Sequence, residues 1–435
     1  MRKIFLLVVL FSNFLISQES LFQQITRAKD SVSVENLNKH IKILENAGGH
    51  FSRVNFTPGN DSAVAYIKKE LEKLPNLSVQ VDTFFIPSAA SPYNTQPQFN
   101  VIATLKGKKY PTQYYIIGAH LDCSASRMGS STWKAEWKTI KAPGADDNAT
   151  GIAAMLEIAR ILSDSAMGMF ADYSIRFIAF GAEESGPAYQ GSHHGSMHYV
   201  EEASKRGESI PGMVSVDMIG YNNRYDYTSI VSNASSQWLA KKFYLANEMF
   251  SVGLITNTPP FPYATYSDHD SFWKSNYNAI LLIENAPPWD DSLFYDANAY
   301  YHKSTDEFST VNSILVKKVT QLTLCAIASL GSRFTDVAEI NELPSEFMLA
   351  QNYPNPFNAS TRIEYSIPFA SQISISVYNI LGEKISQIEN AYKAPGSYSI
   401  LYNAGSLSSG IYFYEIISSS NGIINRSTRK MNLLK

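Results

Sequence analysis

The chain is predicted to be an α/β protein, with a mostly parallel central sheet carrying helices on both faces, followed by a small all-β sandwich. Three observations predict this. Between residues 114 and 330, short continuously apolar segments alternate with amphipathic ones, as buried parallel strands alternate with covering helices. From about Val337 the helical pattern stops, and period-two runs separated by turn residues take over. Several apolar segments also end directly in His, Asp or Glu, the strand ends at which open α/β sheets bind ligands.

The elements follow in order. Segments 35–48 (ENLNKHIKILENAG) and 60–74 (NDSAVAYIKKELEKL) carry helical apolar spacing, the second with Asn60 or Asp61 as its expected cap. Short strands are expected at 78–86 and 99–105. The alternation then begins with YYIIGAH (114–120), a helix over 151–162, and the strand SIRFIAFGAEE (174–184). A helical stretch to about 205, the strand MVSVDMIG (213–220), a helix over 235–250 and the strand AILLIENA (279–286) continue it. The amphipathic segment 312–330 closes the unit. Beyond it come RIEYSIP (362–368), QISISVYN (372–379), GSYSILYN (396–403) and GIYFYEII (410–417), the regular short strands of a sandwich.

A chain of 435 residues, 45% hydrophobic and 17% charged, has room for two or three domains and a large core. A formal net charge of -3 gives no electrostatic case for nucleic-acid binding. Cys123 and Cys325 are too few for a disulfide framework, and whether they pair is open. Residues 1–17 place Arg2 and Lys3 before an apolar core and small polar residues, the pattern of a secretory signal peptide. An uncleaved anchor is the alternative. The expected division is a signal peptide over 1–17, a large α/β domain over 18–336, a linker over 337–348 and a β-sandwich over 349–435. The protein is expected to leave the cytoplasm.

His120 and Asp122 follow the strand YYIIGA, Glu183 and Glu184 follow FIAFGA, and Asp217 follows MVSV. Asp147 lies in a glycine-flanked loop entering a helix, and His302 in a loop after the final apolar strand. Singly, such residues are most often caps or solvated turns. Together they form a ligand set for two closely spaced divalent metals. Zinc takes imidazole nitrogen and carboxylate oxygen, and a pair of ions needs a bridging carboxylate. Two histidines and three carboxylates then serve as ligands, with one neighbouring carboxylate left as a base. Asp122, two residues beyond His120, is placed to orient its imidazole. A competing cluster, His193–His194 with His198, has an i,i+4 pair but lacks the glutamate beside the first histidine that helical zinc motifs use.

The segments HLD (120–122), GADDNATG (144–151), GAEESG (181–186), VDMIG (216–220) and YHKSTD (301–306) resemble, in order and approximate spacing, the signatures of the bacterial co-catalytic zinc aminopeptidases. The resemblance covers about residues 35–332. It implies two zinc ions, with Asp147 bridging, His120 and Asp217 completing one site, and Glu184 and His302 the other. It also implies Glu183 as general base in hydrolysis of the N-terminal peptide bond, and Tyr301 as a candidate extra donor. The substrates would be peptide or protein N-termini. YSDHDSFW (266–273) resembles a family stretch near the substrate cleft, and Phe261, Tyr263, Phe272 and Trp273 are candidates to line an apolar specificity pocket. Alternatives are carboxypeptidase or dipeptidase action by the same clan, glutaminyl cyclase, or a non-catalytic binding relative.

The C-terminal segments LAQNYPNPFNASTRIEYSIP (349–368), VYNILGEKI (377–385), LSSGIYFYEI (407–416) and KMNLLK (430–435) resemble the sorting domain of the type nine secretion system. This implies the type nine machinery as partner and export through the periplasm and outer membrane. An immunoglobulin-like or sugar-binding module is the alternative.

Overall fold

The computed structural model describes residues 21–167, 171–257, 263–284, 294, 296–332, 347–368, 371–393, 396–420 and 423–435. The expected signal peptide, Phe261 and the linker up to residue 346 lie outside them.

Three helices open the chain, α1 (Leu21–Asp30), α2 (Val34–Glu45) and α3 (Pro58–Glu72). Ser33 caps α2 by accepting the Asn36 amide at 3.2 Å. The cap of α3 is Thr57, not Asn60 or Asp61 as the sequence suggested, because Pro58 fits the first helical position and starts the helix earlier.

The central sheet is built from β1 (Leu77–Phe84), β2 (Gln98–Leu105), β3 (Tyr110–His120), β4 (Tyr173–Phe180), β5 (Ser209–Val216), β6 (Tyr227–Ser232), β7 (Ile255–Asn257) and β8 (Ala279–Ile283). Their spatial order is β1-β2-β4-β3-β5-β8-β6-β7. The middle strands β4, β3, β5 and β8 run parallel, β2 on one flank and β6 on the other run antiparallel to them, and β1 pairs antiparallel with β2. The helices between the strands are α4 (Ser130–Glu136), α5 (Gly151–Ser163), α6 (His194–Lys205), α7 (Gln237–Met249) and α8 (His269–Lys274), and α9 (Ser313–Gly331) follows the last strand.

Strand alternation divides two cores. Ile117, Ala119, Phe177, Ala179, Val214 and Val216 face α2, α5, α7 and α9. Ile116, Ile178, Phe180 and Met213 face the other way, against Tyr199 and Val200 of α6 and Phe272 of α8. Both faces of the middle strands are therefore apolar, which is why those segments read as continuous runs. By length and composition α9 could cross a membrane, but it is packed against α1, α2, α5 and α7 as a core helix. Cys123 and Cys325 are both free and buried.

The C-terminal strands are β9 (Met348–Leu349), β10 (Ser360–Ile367), β11 (Ser371–Tyr378), β12 (Lys384–Lys393), β13 (Gly396–Asn403), β14 (Gly410–Ser420) and β15 (Ile423–Leu433). They form two antiparallel sheets, β13-β10-β9 and β12-β11-β14-β15. The sheets share a core that includes Ile363, Tyr365, Ile375, Tyr414, Ile416 and Met431. The pairing begins at Met348 with Ser366, one residue before the expected boundary.

Arg53 links three parts of the large domain. Its buried guanidinium donates to the carbonyls of Leu44 at the end of α2, Leu121 just past β3, and Pro143 and Gly144 in the loop before α5. Replacing it strands several buried acceptors, each costing about 1–3 kcal/mol. Arg53→Met should therefore lower the unfolding free energy in urea by about 3 kcal/mol or more. A loss below about 1 kcal/mol would show that those carbonyls find other donors.

Candidate metal centre

The neighbouring parallel strands β4, β3 and β5 end side by side, and each delivers polar residues at its carboxyl end. His120 is the last residue of β3, Asp217 follows β5 directly, and Glu183 and Glu184 lie in the turn after β4. Asp147 comes from the tight turn Ala145–Thr150 that enters α5. Gly144 starts this turn with φ +55°, and a Cβ there would lie 2.4 Å from the Asp147 carbonyl and 2.5 Å from Cys123 Cβ, so the position requires glycine. Asp306 accepts the amides of Asp146 at 2.9 Å and Asp147 at 3.1 Å, fixing the turn from the opposite side. His302 arrives on the segment between β8 and α9, with Ser126 Oγ 3.0 Å from its Nδ1.

These side chains meet in two triads. His120 Nε2 lies 3.1 Å from Asp147 Oδ1 and 3.2 Å from Asp217 Oδ1. His302 Nε2 lies 3.1 Å from Asp147 Oδ2 and 2.9 Å from Glu184 Oε1. Within each triad the donor atoms all fall within 4.8 Å of one another, and Asp147 belongs to both, through different oxygens. Asp147 Oδ2 and Glu184 Oε1 are buried and accept no hydrogen bond. Their lone pairs converge with the His302 imidazole nitrogen on a common point. That arrangement fits a cation, and two imidazoles with three carboxylates is a donor set zinc accepts.

The charges are also out of balance without one. Burial pushes the carboxyls of Glu183 well up and of Glu184 to about 8, the latter opposed by His302 and reinforced by Asp147. Burial alone would lower both imidazoles, yet the surrounding carboxylates prevail. Asp217 and Glu183 hold His120 well above its ordinary value, and Glu184 with Asp147 holds His302 at about 10. Asp147 goes the other way, held low against burial by its contacts with the two imidazoles. Excess buried negative charge is thus compensated by protons, a role divalent ions would take over.

Around the triads, Asp122 does more than the sequence suggested. The contact that orients His120 Nδ1 most closely is the Asp122 carbonyl at 3.2 Å, with the carboxylate at 3.5 Å. The carboxylate mainly clasps the glutamate turn, accepting the amides of Glu183 at 3.1 Å and Glu184 at 3.0 Å, and Asn55 Nδ2 at 2.7 Å. The His193–His194–His198 cluster does not converge. His198 sits 3.2 Å from Asp82, and His194 Nε2 bonds the Gln190 carbonyl, while His193 alone reaches the site.

A cleft of about 360 Å³ opens over the triads, and Arg127, Met218, Tyr266, Ile283 and Tyr301 are among the other residues that line it. The Tyr301 ring lies tilted by 32° beside the His302 ring, centroids 3.8 Å apart, and carries the Arg127 guanidinium 4.4 Å from its own ring. The expected aromatic pocket is corrected. Phe272 is fully buried in the α6–α8 core, Trp273 donates to the Ala279 carbonyl, and Tyr263 is 87% exposed. Tyr266, inside the quoted YSDHDSFW stretch but not singled out, is the residue that lines the cleft. In the same stretch Asp268 is fully buried, raised to about 7 by burial and the nearby Glu183 charge.

Because His302 holds its proton to about 10 and Glu184 to about 8, a metal entering at pH 7 must displace protons. Calorimetric titration of zinc into metal-free protein, in buffers of different ionisation heat, should read a release of about one proton or more per chain. Affinity should fall as the pH is lowered. Binding without proton release would contradict this charge balance.

Against known proteins, the profile described as Peptidase family M28 matches residues 100–327, more than half of the chain. The profile of a secretion system C-terminal sorting domain matches residues 351–428, which implies export to the cell surface or beyond. The uncharacterised protein YfbL of Escherichia coli is 27% identical over 72% of this chain and 94% of its own. Aminopeptidase YwaD of Bacillus subtilis is 29% identical over 54% of this chain, which spans 45% of that longer protein. The LapA aminopeptidase of Legionella pneumophila superposes with a TM-score of 0.55 at 19% identity, over 76% of this chain and 79% of its own, a likeness of fold. The two triads at the strand ends and the matched profile agree: the chain belongs to peptidase family M28, as a zinc-dependent metallopeptidase of the aminopeptidase type with a C-terminal sorting domain.

Proposed function

We propose that this chain is an exported aminopeptidase that binds two zinc ions and releases N-terminal residues from peptides, with Glu183 as general base. The observation that carries the reading is the division of the Asp147 carboxylate between the two triads. In this reading His120, Asp147 and Asp217 hold one ion, and Asp147, Glu184 and His302 the other. Bound there, the pair would make a water more acidic and polarise the scissile carbonyl.

The chain's own groups do the rest. Glu183 lines the cleft beside both triads and is ligated by neither, so its carboxylate is free to take the water proton and pass it to the leaving amine. Asp122 holds the glutamate turn by two backbone amides, which keeps Glu183 and Glu184 in fixed relation. The Tyr301 hydroxyl is raised by burial and by the carboxylates, so it stays protonated and can donate to a polarised oxygen.

For the chain as a whole, we assign residues 1–17 to a signal peptide, 18–336 to the catalytic domain, 337–348 to a linker and 349–435 to the type nine sorting domain. Passage would run through the periplasm and across the outer membrane. One observation favours a second reading, dipeptidase or carboxypeptidase action. The Arg127 guanidinium stands at the cleft with no carboxylate partner among the described residues, where it could accept a peptide C-terminus.

Both readings are tested with one panel: free aminoacyl-nitroanilides, N-blocked peptides, dipeptides and glutaminyl peptides, each with and without chelator. Unblocked nitroanilides should be cleaved, and chelator should abolish it. Glu183→Gln should lower turnover by about 10²–10⁴-fold with zinc content unchanged. Equal cleavage of blocked N-termini would overturn the aminopeptidase reading, and wild-type turnover in Glu183→Gln the base assignment.

A further inference from the structure

The His193–His194–His198 cluster supplies no metal site, yet one of its members points at the centre of the chemistry. After the glutamate turn the chain loops out and returns antiparallel to it. The His193 amide donates to the Glu183 carbonyl at 2.8 Å, His194 to Ala182 at 2.8 Å and Gly195 to Gly181 at 3.0 Å. This ladder fixes the His193 backbone directly against Glu183. His193 takes a left-handed conformation there, φ +59°, which costs a non-glycine residue about 1 kcal/mol. Its ring, buried and lining the cleft, puts Nε2 3.0 Å from Glu183 Oε1. On the far side Nδ1 faces Asp270 at 4.0 Å, and Asp270 is paired with Lys274 at 2.6 Å.

We propose that His193 is the positioning residue of the general base: its Nε2–H binds one oxygen of Glu183 and leaves the other turned toward the reacting water. The inference rests on the reading of Glu183 as that base. An ionised carboxylate only accepts hydrogen bonds, so Nε2 must carry the proton. Asp268 and Asp270 favour a second proton on the ring, but burial outweighs them and Lys274 offsets Asp270. Burial thus holds His193 below its ordinary value, in the neutral form. A neutral donor suits the task, since a cation in its place would stabilise the carboxylate and weaken it as a base. Without it, the terminal torsion of a glutamate side chain is broad and the base loses its aim.

The test compares His193→Ala, His193→Gln, Glu183→Gln and the double variant Glu183→Gln/His193→Ala in zinc-loaded full-length protein. An unblocked aminoacyl-nitroanilide reports kcat and KM, with zinc content and thermal midpoint alongside. His193→Ala should lose about 10- to 100-fold in kcat with KM nearly unchanged, the scale of a misaimed catalytic group. His193→Gln, whose amide can still donate, should recover most of that loss. The double variant should be no slower than Glu183→Gln alone, because the histidine acts through the glutamate. Nitrogen-15 NMR of the wild-type protein needs no substitution and should find His193 as the neutral Nε2–H tautomer. Wild-type kcat in His193→Ala, a double variant slower than Glu183→Gln by the full His193→Ala factor, or an Nδ1–H tautomer would each overturn the proposal. Full turnover in Glu183→Gln would instead overturn the reading on which it rests.

Discussion

Asp147 gives one carboxylate oxygen to the triad with His120 and Asp217 and the other to the triad with His302 and Glu184. A carboxylate shared in this way fits a place between two cations. It is buried, one of its oxygens lacks a hydrogen bond, and further carboxylates crowd around it. Buried charges of one sign are tolerated only when paired or bound to cations. Much of the surrounding architecture is arranged to hold that carboxylate still, including Asp306 below its backbone, Gly144 at the start of its turn, and Arg53 on the carbonyls of Pro143 and Gly144.

The sheet supplies the remaining geometry. Because β4, β3 and β5 are parallel neighbours, their carboxyl ends bring His120, the glutamate turn and Asp217 to one edge without any long loop. Asp122 then ties β3 to the turn after β4 through backbone amides. Ligands carried on strand ends and clasped by their neighbours are held more rigidly than ligands on free loops. Asp147 and His302 come from longer connections, after β3 and β8, and Ser126 and the backbone of Arg127 engage His302 from the segment after β3.

How much of this was legible in the chain follows from where each signal resides. The middle strands and α5, α7 and α9 are apolar over enough residues to be read directly, and the strand-end ligands stand out because ionisable residues interrupt such runs. Strand β6, whose sequence YTSIVS is short and half polar, and α4 and α8, of seven and six residues, are too short to be recognised alone. The cap of α3 was misplaced because Asn60 and Asp61 are good capping types, whereas Pro58 decides the start. His193 stands beside the i,i+4 pair His194 and His198 in the sequence, but it precedes α6 in a left-handed turn, and its ring turns to Glu183 instead. Asp306 lay within a recognised motif, yet its role depends on a backbone that approaches only in the fold. Phe272 and Tyr266 exchanged places for a similar reason, since composition cannot say which aromatic of YSDHDSFW points inward.

Anomalous diffraction at the zinc edge, from crystals of the zinc-loaded chain, addresses the shared carboxylate most directly. Two peaks are expected, one ligated by His120, Asp147 and Asp217 and the other by Asp147, Glu184 and His302. A single peak, or two peaks with Asp147 coordinating neither or only one, would contradict the account.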